Sequence, residues 1–294
     1  MDGNKALNYL LIIFLMLNIF LGFGNYQKYI AMYRLSDDNI NKIIDFLESE
    51  NILIDTQLPK EYMPTNTIYI TPIDIGFEDR EFIVDAVFGS GREGVIITEQ
   101  ADGTSYNTKS RVYTRENKSL IFSTYQVEYK NDDIRVNYES NISEREAKKY
   151  AEDFFKIYGA TFLEEKVKIE YKKESYGASI TYYEVYNNLP VFDSYVYMAI
   201  TDDGVFESTL QISDIKQENN DRLEIYAVTQ VLFKLNESLD SSEMTTINEI
   251  MLGYAREQVK NAYFVKEKAI PMYKITTEGL NIPLFVNAYT NELK

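Results

Sequence analysis

Residues 143–159, SEREAKKYAEDFFKIYG, run directly into four alternating segments: VKIEYKK at 167–173, SITYYEVY at 179–186, VFDSYVYMAI at 191–200 and VFESTLQI at 205–212. In the first segment Ser143 suits a helix cap with Glu146 reaching back to it. Ala147, Tyr150, Ala151, Phe154, Phe155 and Tyr158 then recur at helical spacing, and Gly159 ends the run. The four that follow alternate apolar and polar residues as half-buried strands do. Turns are predicted at Asn187-Asn188 and Asp202-Asp203-Gly204. A helix laid on an antiparallel meander is an α+β design.

The same grammar extends outward in both directions. Upstream, Ser36-Asp37-Asp38 starts a helix whose face is Ile40, Ile43, Ile44 and Leu47. Strands are predicted at 67–75, 80–88, 94–99, 105–113 and 119–129, with turns at Asp102-Gly103 and Asn131-Asp132-Asp133. Downstream, Asp221 and Glu224 suit a helix start, Val228, Val231, Leu232 and Leu235 form a face, and strands close the chain at 270–276 and 283–289. Because the strands come in runs, no βαβ crossover is expected. The predicted plan is a cytoplasmic tip at 1–5, a transmembrane anchor at 6–23 and a stalk at 24–35. Two extracytoplasmic lobes of antiparallel sheet packed by helices follow at 36–138 and 141–294, the second holding two helix-plus-strands units.

Composition narrows the chemistry. Of 294 residues 45% are hydrophobic, with 25 Tyr and 16 Phe, enough to build folded lobes. There is no cysteine, which removes disulfides and thiolate metal sites. Histidine is absent too, and with it the usual zinc ligand and the side chain suited to proton transfer near neutral pH. A net charge of -16, from 30 Lys and Arg against 46 Asp and Glu, argues against nucleic acid as a partner. No enzyme activity, cofactor or metal is expected.

The run 6–23, ALNYLLIIFLMLNIFLGF, carries no charge and approaches the thickness of a bilayer core. Lys5 precedes it and Tyr26 and Tyr29 follow, so the N-terminus is expected inside the cell. The competing reading is a signal peptide cleaved near Gly22-Phe23-Gly24; the length of the run favours a retained anchor. Asn8, Leu11, Leu15, Asn18 and Gly22 recur at spacings of three and four, placing two amides and a glycine on one seam suited to a partner helix. The alternative is that Asn8 sits at the interface and the seam is accidental.

Other motifs weigh little. Gly89, Gly91 and Gly94 spell G-x-G-x-x-G, but a β-branched strand follows where the phosphate fingerprint needs a helix, so a hairpin connection is expected. Ser213 and Lys216 have the spacing of a nucleophile and its base within a stretch expected to be a solvated connector. Carboxylates are abundant without any pair set apart. Tyr182-Tyr183, Tyr186, Tyr195 and Tyr197 suit either a binding face or a sheet face under a helix.

Three stretches together resemble the YycI regulators of Gram-positive bacteria and their YycH relatives. They are the opening MDGNKALNYLLIIFLMLNIFLGF, the juxtamembrane LSDDNINKIIDFLESENILIDTQLP, and the tail INEIMLGYAREQ with IPMYKITTEG and IPLFVNAYTNEL. That resemblance implies a single-pass accessory factor of a WalK-type sensor histidine kinase controlling cell-wall metabolism. It also implies partners in the membrane, the kinase and a YycH-like protein, met through Asn8 to Gly22 and the Ser36 helix. An extracytoplasmic propeptide-like inhibitor or chaperone is the alternative.

Overall fold

The computed structural model describes residues 3–101, 109–163, 166–217, 221–237, 244–257, 266–278 and 282–294. The chain forms two compact units whose segments interleave: unit 1 is 1–66, 221–251 and 272–294, and unit 2 is 67–220 and 252–271. The expected cut near residue 140 therefore falls inside unit 2.

Unit 1 opens with α1 (Gly3–Met32), a single helix that absorbs both the anchor and most of the expected stalk. Helix α2 (Asp37–Ser49) follows, its first amides capped by the Ser36 side chain at 3.2 Å from Asn39 N. It buries Ile40, Ile43 and Leu47. Strand β1 (Ile52–Ile54) runs parallel to the first half of β12 (Thr245–Arg256). The second half of β13 (Glu267–Thr277) pairs antiparallel with β14 (Leu284–Asn287). Helix α5 (Val228–Asn236) buries Val228, Val231, Leu232 and Leu235, and its Phe233 stacks on Phe46 of α2 at 5.4 Å. The helix does not begin at Asp221 as expected. Residues 221–227 stay outside it because Leu223 exchanges both backbone hydrogen bonds with Thr65, at 2.9 and 3.0 Å, and an extended backbone satisfied in this way has no call for helical bonds.

Unit 2 contains β2 (Ile68–Pro72), α3 (Phe77–Phe88), β3 (Ile96–Ala101), β4 (Lys109–Arg115), β5 (Lys118–Phe122), β6 (Gln126–Asn131) and α4 (Glu144–Tyr158). It continues with β7 (Val167–Glu174), β8 (Gly177–Tyr186), β9 (Leu189–Thr201), β10 (Gly204–Gln211) and β11 (Ser213–Gln217). An antiparallel run β3-β4-β5-β6-β10-β9-β8-β7 carries α4 on one face. The predicted capping box of α4 is present: Ser143 Oγ accepts from Glu146 N at 3.3 Å and Glu146 Oε2 accepts from Ser143 N at 3.3 Å. Ala147, Ala151 and Tyr158 are buried against Ile180, Tyr182, Val196, Met198 and Leu210 of the sheet in one continuous core. Gly159 ends α4 with right-handed backbone; a Cβ there would lie 2.6 Å from the Phe155 ring and 2.9 Å from Val196, so the glycine answers a close approach. Asn187 and Asn188 have φ of 49° and 65°, the left-handed pair of a tight hairpin turn.

Several expectations are corrected. Residues 80–88 are helical, because Ile83, Val84 and Phe88 share a buried helical face and Glu78 and Asp79 favour its N-terminus. Segment 119–129 is two strands, folded back where Ser123 N donates to Gln126 O at 3.0 Å. Ser213 to Lys216 is strand β11, paired with β2, rather than a solvated connector. Parallel pairs do occur: besides β1 with β12, Tyr254 of β12 pairs with Val191 of β9. Their crossovers are built from long chain excursions instead of local helices, so runs of strands gave no sign of them. The expected turn at Asp102-Gly103 lies outside the described residues.

Candidate functional site

Helix α1 is, among the described residues, the one helix long and apolar enough to cross a membrane. Leu7–Met32 has a mean hydropathy of 2.1 in its most apolar window, and nothing in the chain buries that window. At about 1.5 Å per residue it exceeds the roughly 30 Å of a hydrocarbon core. Asn8, Leu11, Leu15, Asn18 and Gly22 fall within an arc of about 80° on a helix of 3.6 residues per turn, all exposed. Asn18 Nδ2 donates to Phe14 O at 2.8 Å, so one of its two N–H groups is satisfied by its own helix, while the other and Oδ1 remain to seek a partner. A Cβ on Gly22 would meet nothing within 4 Å, leaving a flat spot where another backbone can approach.

Where α1 ends, tyrosines join it to the rest of unit 1. Tyr62 Oη donates to Met32 O at 3.0 Å, satisfying one of the carbonyls that a helix end leaves open. Tyr62 N donates to Tyr33 O at 3.0 Å and Leu35 N to Lys60 O at 2.9 Å, with Arg34 and Glu61 paired antiparallel between them. The Tyr33 ring sits edge-on to Tyr29 at 5.2 Å and to Tyr62 at 5.9 Å. Its hydroxyl donates to Glu224 Oε1 at 3.1 Å, and desolvation, with the Glu224 carboxylate next, raises the Tyr33 pKa. Beside this junction lies a cleft of about 390 Å³ lined by Ala31, Arg34, Leu35, Ser36, Asp37 and Lys60. Lys60 Nζ lies 2.5 Å from Asp37 Oδ1 and holds that carboxyl below its ordinary range.

Sequence reasoning missed the junction. Tyr29 and Tyr33, four residues apart, were visible as one helical face. Tyr62 and Glu224 were not, since contacts across such separations leave no local pattern. If the junction couples helix to unit, Tyr33→Ala should speed hydrogen exchange at the Tyr62 and Leu35 amides by roughly fivefold to tenfold while leaving α4 amides unchanged. Tyr33→Phe, which keeps the rings and loses only the Glu224 bond, should fall between. Equal exchange in all three proteins would show the junction to be idle.

The remaining motifs are structural. Gly89 closes α3 with φ 84°, and the loop to β3 is held by Arg115, whose Nη1 donates to Phe88 O at 2.5 Å and Gly91 O at 3.2 Å. It joins a helix to a strand and is not the expected hairpin connection. Ser213 Oγ donates to Asp193 O at 2.9 Å and Lys216 pairs with Asp214 at 2.6 Å; three residues apart in a strand, Ser213 and Lys216 point to opposite faces. Tyr182 stacks on Phe155 of α4 at 4.5 Å, while Tyr183, on the opposite face, donates to Glu170 Oε2 at 2.6 Å. Tyr176 and Tyr197 share a hydroxyl contact of 3.2 Å.

One ionic cluster went unforeseen: Arg256 Nε lies 2.7 Å from Asp193 Oδ1, and Arg256 Nη1 lies 3.5 Å from Glu267 Oε2. It ties β9, β12 and β13 within unit 2, and removing one member would leave a buried charge uncompensated. Among the described residues no group of acids is arranged to hold a metal ion.

No protein-family model and no curated protein matches the sequence. A solved structure shares the fold, and two others match more loosely. An uncharacterized protein from Eubacterium rectale superposes with a TM-score of 0.53 at 11% identity, covering 83% of this chain and 90% of that one. The C-terminal domain of Bacillus megaterium YpeB gives 0.40 at 16% identity, covering 75% and 96%. YycH from Bacillus subtilis gives 0.45 at 14% identity, covering 76% of this chain and 54% of that one. At 11% identity the likeness to the Eubacterium rectale protein is one of fold alone.

Proposed function

We propose that this chain is a non-catalytic, membrane-anchored regulator whose α1 lies beside a WalK-type sensor histidine kinase and a YycH-like protein, with its N-terminus in the cytoplasm and both units outside. The observation that carries this reading is the continuous α1, uncovered by the rest of the chain along its apolar length and fastened to unit 1 by the tyrosine junction. A helix fixed at one end to a folded unit can pass a change in that unit to a neighbour in the bilayer. It biases the neighbour only to the extent that it binds the two signalling states unequally. The sequence resemblance to YycI regulators supplies the kinase and the cell-wall pathway in this proposal.

The seam gives the test. Interhelical amide contacts in membranes are worth about 0.6–1.7 kcal/mol, so Asn18→Leu should lower recovery of the kinase with this protein by about threefold to twentyfold. Gly22→Leu should lower it further by blocking close approach. Unchanged recovery in both variants removes the seam. Deleting the gene should alter transcripts of cell-wall hydrolases; an unaltered profile with the kinase functional would falsify the link to that system.

A further inference from the structure

The cleft beside the α1 exit stands out by position and charge. If Leu7–Tyr26 fills about 30 Å of hydrocarbon, Ala31 lies roughly 7 Å beyond its edge, at the outer margin of the headgroup layer, and Arg34 roughly 12 Å, a few Å above it and within reach of a long side chain turned back toward the lipid. Residues 24–36, GNYQKYIAMYRLS, contain Lys28 and Arg34 and no acid, in a chain of net charge -16. Such a chain is repelled by an anionic surface, and this segment is the exception. Two cations, Arg34 and Lys60, line the cleft against one carboxylate, Asp37. Among the described residues the Arg34 guanidinium makes no hydrogen bond or ion pair, with Glu61 opposite it on the bridge included. The Lys60–Asp37 pair is open to solvent and therefore cheaply exchanged. Asp38, the next acid along, is engaged by Lys42 at 2.6 Å.

We propose that this cleft seats the phosphodiester of an anionic lipid headgroup, with Arg34 as the forked donor and Lys60 as the second charge. A guanidinium matches two phosphate oxygens at once, and its alkyl stem can lie back along α1 toward the lipid. Tyr29, Tyr33 and Tyr62 supply the amphipathic rings that membrane interfaces favour. A seated headgroup would fix the height and rotation of unit 1 above the bilayer. This inference rests on the anchoring in the reading above and not on the kinase contact.

The test uses the full chain purified in a neutral detergent, titrated with phosphatidylglycerol, phosphatidylcholine or inorganic phosphate and followed by native mass spectrometry. Phosphatidylglycerol should be retained in preference to phosphatidylcholine. Arg34→Gln and Lys60→Gln should each lower that retention about fivefold, and the double variant should bring it to the phosphatidylcholine level. Lys42→Gln, a cation on α2 outside the cleft, should change nothing, and circular dichroism should show all variants folded. Equal retention of the two lipids, or undiminished retention in the double variant, overturns the cleft while leaving the anchor intact. Displacement of phosphatidylglycerol by millimolar inorganic phosphate overturns the lipid assignment in favour of a free-phosphate site. Retention of neither lipid likewise overturns the cleft, whereas recovery of the full chain in the aqueous rather than the membrane fraction would remove the anchor.

Discussion

Gly177→Ala should destabilise unit 2 by at least about 3 kcal/mol, enough to leave a fraction of the purified chain unfolded at ambient temperature. Gly177 opens β8 with φ 139°, a conformation that L side chains rarely adopt, and a Cβ built there lies 2.3 Å from the Ile200 carbonyl oxygen. That oxygen belongs to β9 and pairs in register beside Ala178, so it cannot retreat without breaking the centre of the sheet. The strained backbone and the collision add to one another. Gly91→Ala is the control: its Cβ would meet nothing within 4 Å and its φ is ordinary, so its cost should stay within about 0.5 kcal/mol. Denaturant melts followed by circular dichroism compare the two; a midpoint for Gly177→Ala equal to that of Gly91→Ala would refute the steric account.

Alkaline pH should unfold the protein steeply once tyrosines of the unfolded chain ionise. Tyr158 in unit 2 is fully buried, its hydroxyl donating to Val127 O at 3.1 Å, and Tyr273 in unit 1 donates to Tyr226 O at 2.9 Å. Burial pushes both pKa values well above the ordinary tyrosine value of about 10. Above about pH 10 the unfolded chain releases these protons and the folded chain keeps them, so the unfolded state binds fewer protons and stability falls as pH rises. Each such tyrosine should contribute about 1.4 kcal/mol per pH unit beyond that point. Tyr176 and Tyr197, raised in the same way by burial, steepen the fall. Below about pH 10 the contribution is fully present, and without histidine nothing of this kind titrates between about pH 6 and 9. Denaturation midpoints measured from about pH 8 to 12 should be flat and then drop. Tyr158→Phe and Tyr273→Phe should each remove one tyrosine's share of the slope, and an unchanged midpoint at about pH 11.5 would contradict this.

What could be read from residues alone was what depends on neighbours in sequence. The capping box at Ser143, the stripe of α4, the Asn187-Asn188 turn and the strands from Val167 to Ile212 all rest on interactions within a few residues, and all are present. Residues 80–88 misled because REFIVDAVF alternates well enough for a strand, while its buried set, Ile83, Val84 and Phe88, is defined only by what α3 packs against. Strand β12 shows little alternation, because from Ile250 to Ala255 every residue is buried or half-buried, so only the resemblance of INEIMLGYAREQ to closing strands pointed to it. The division into units was also hidden, since β12 and β13 each belong to both. For the candidate site, the five seam residues needed only helical periodicity, whereas Tyr62, Glu224 and the Arg256 cluster depend on which distant segments the fold brings home.

The interleaving of unit 1 has a consequence for biogenesis. Synthesis from the N-terminus delivers α1 and α2 first, yet β14 and the second half of β13, which complete the same unit, come only after all of unit 2. For most of synthesis the apolar face of α2 waits open, while the inserted unit can mature on its own. Chaperones acting at that stage thus meet unit 1 half built while unit 2 is nearly whole, and a premature stop near the end would strand the molecule in that condition.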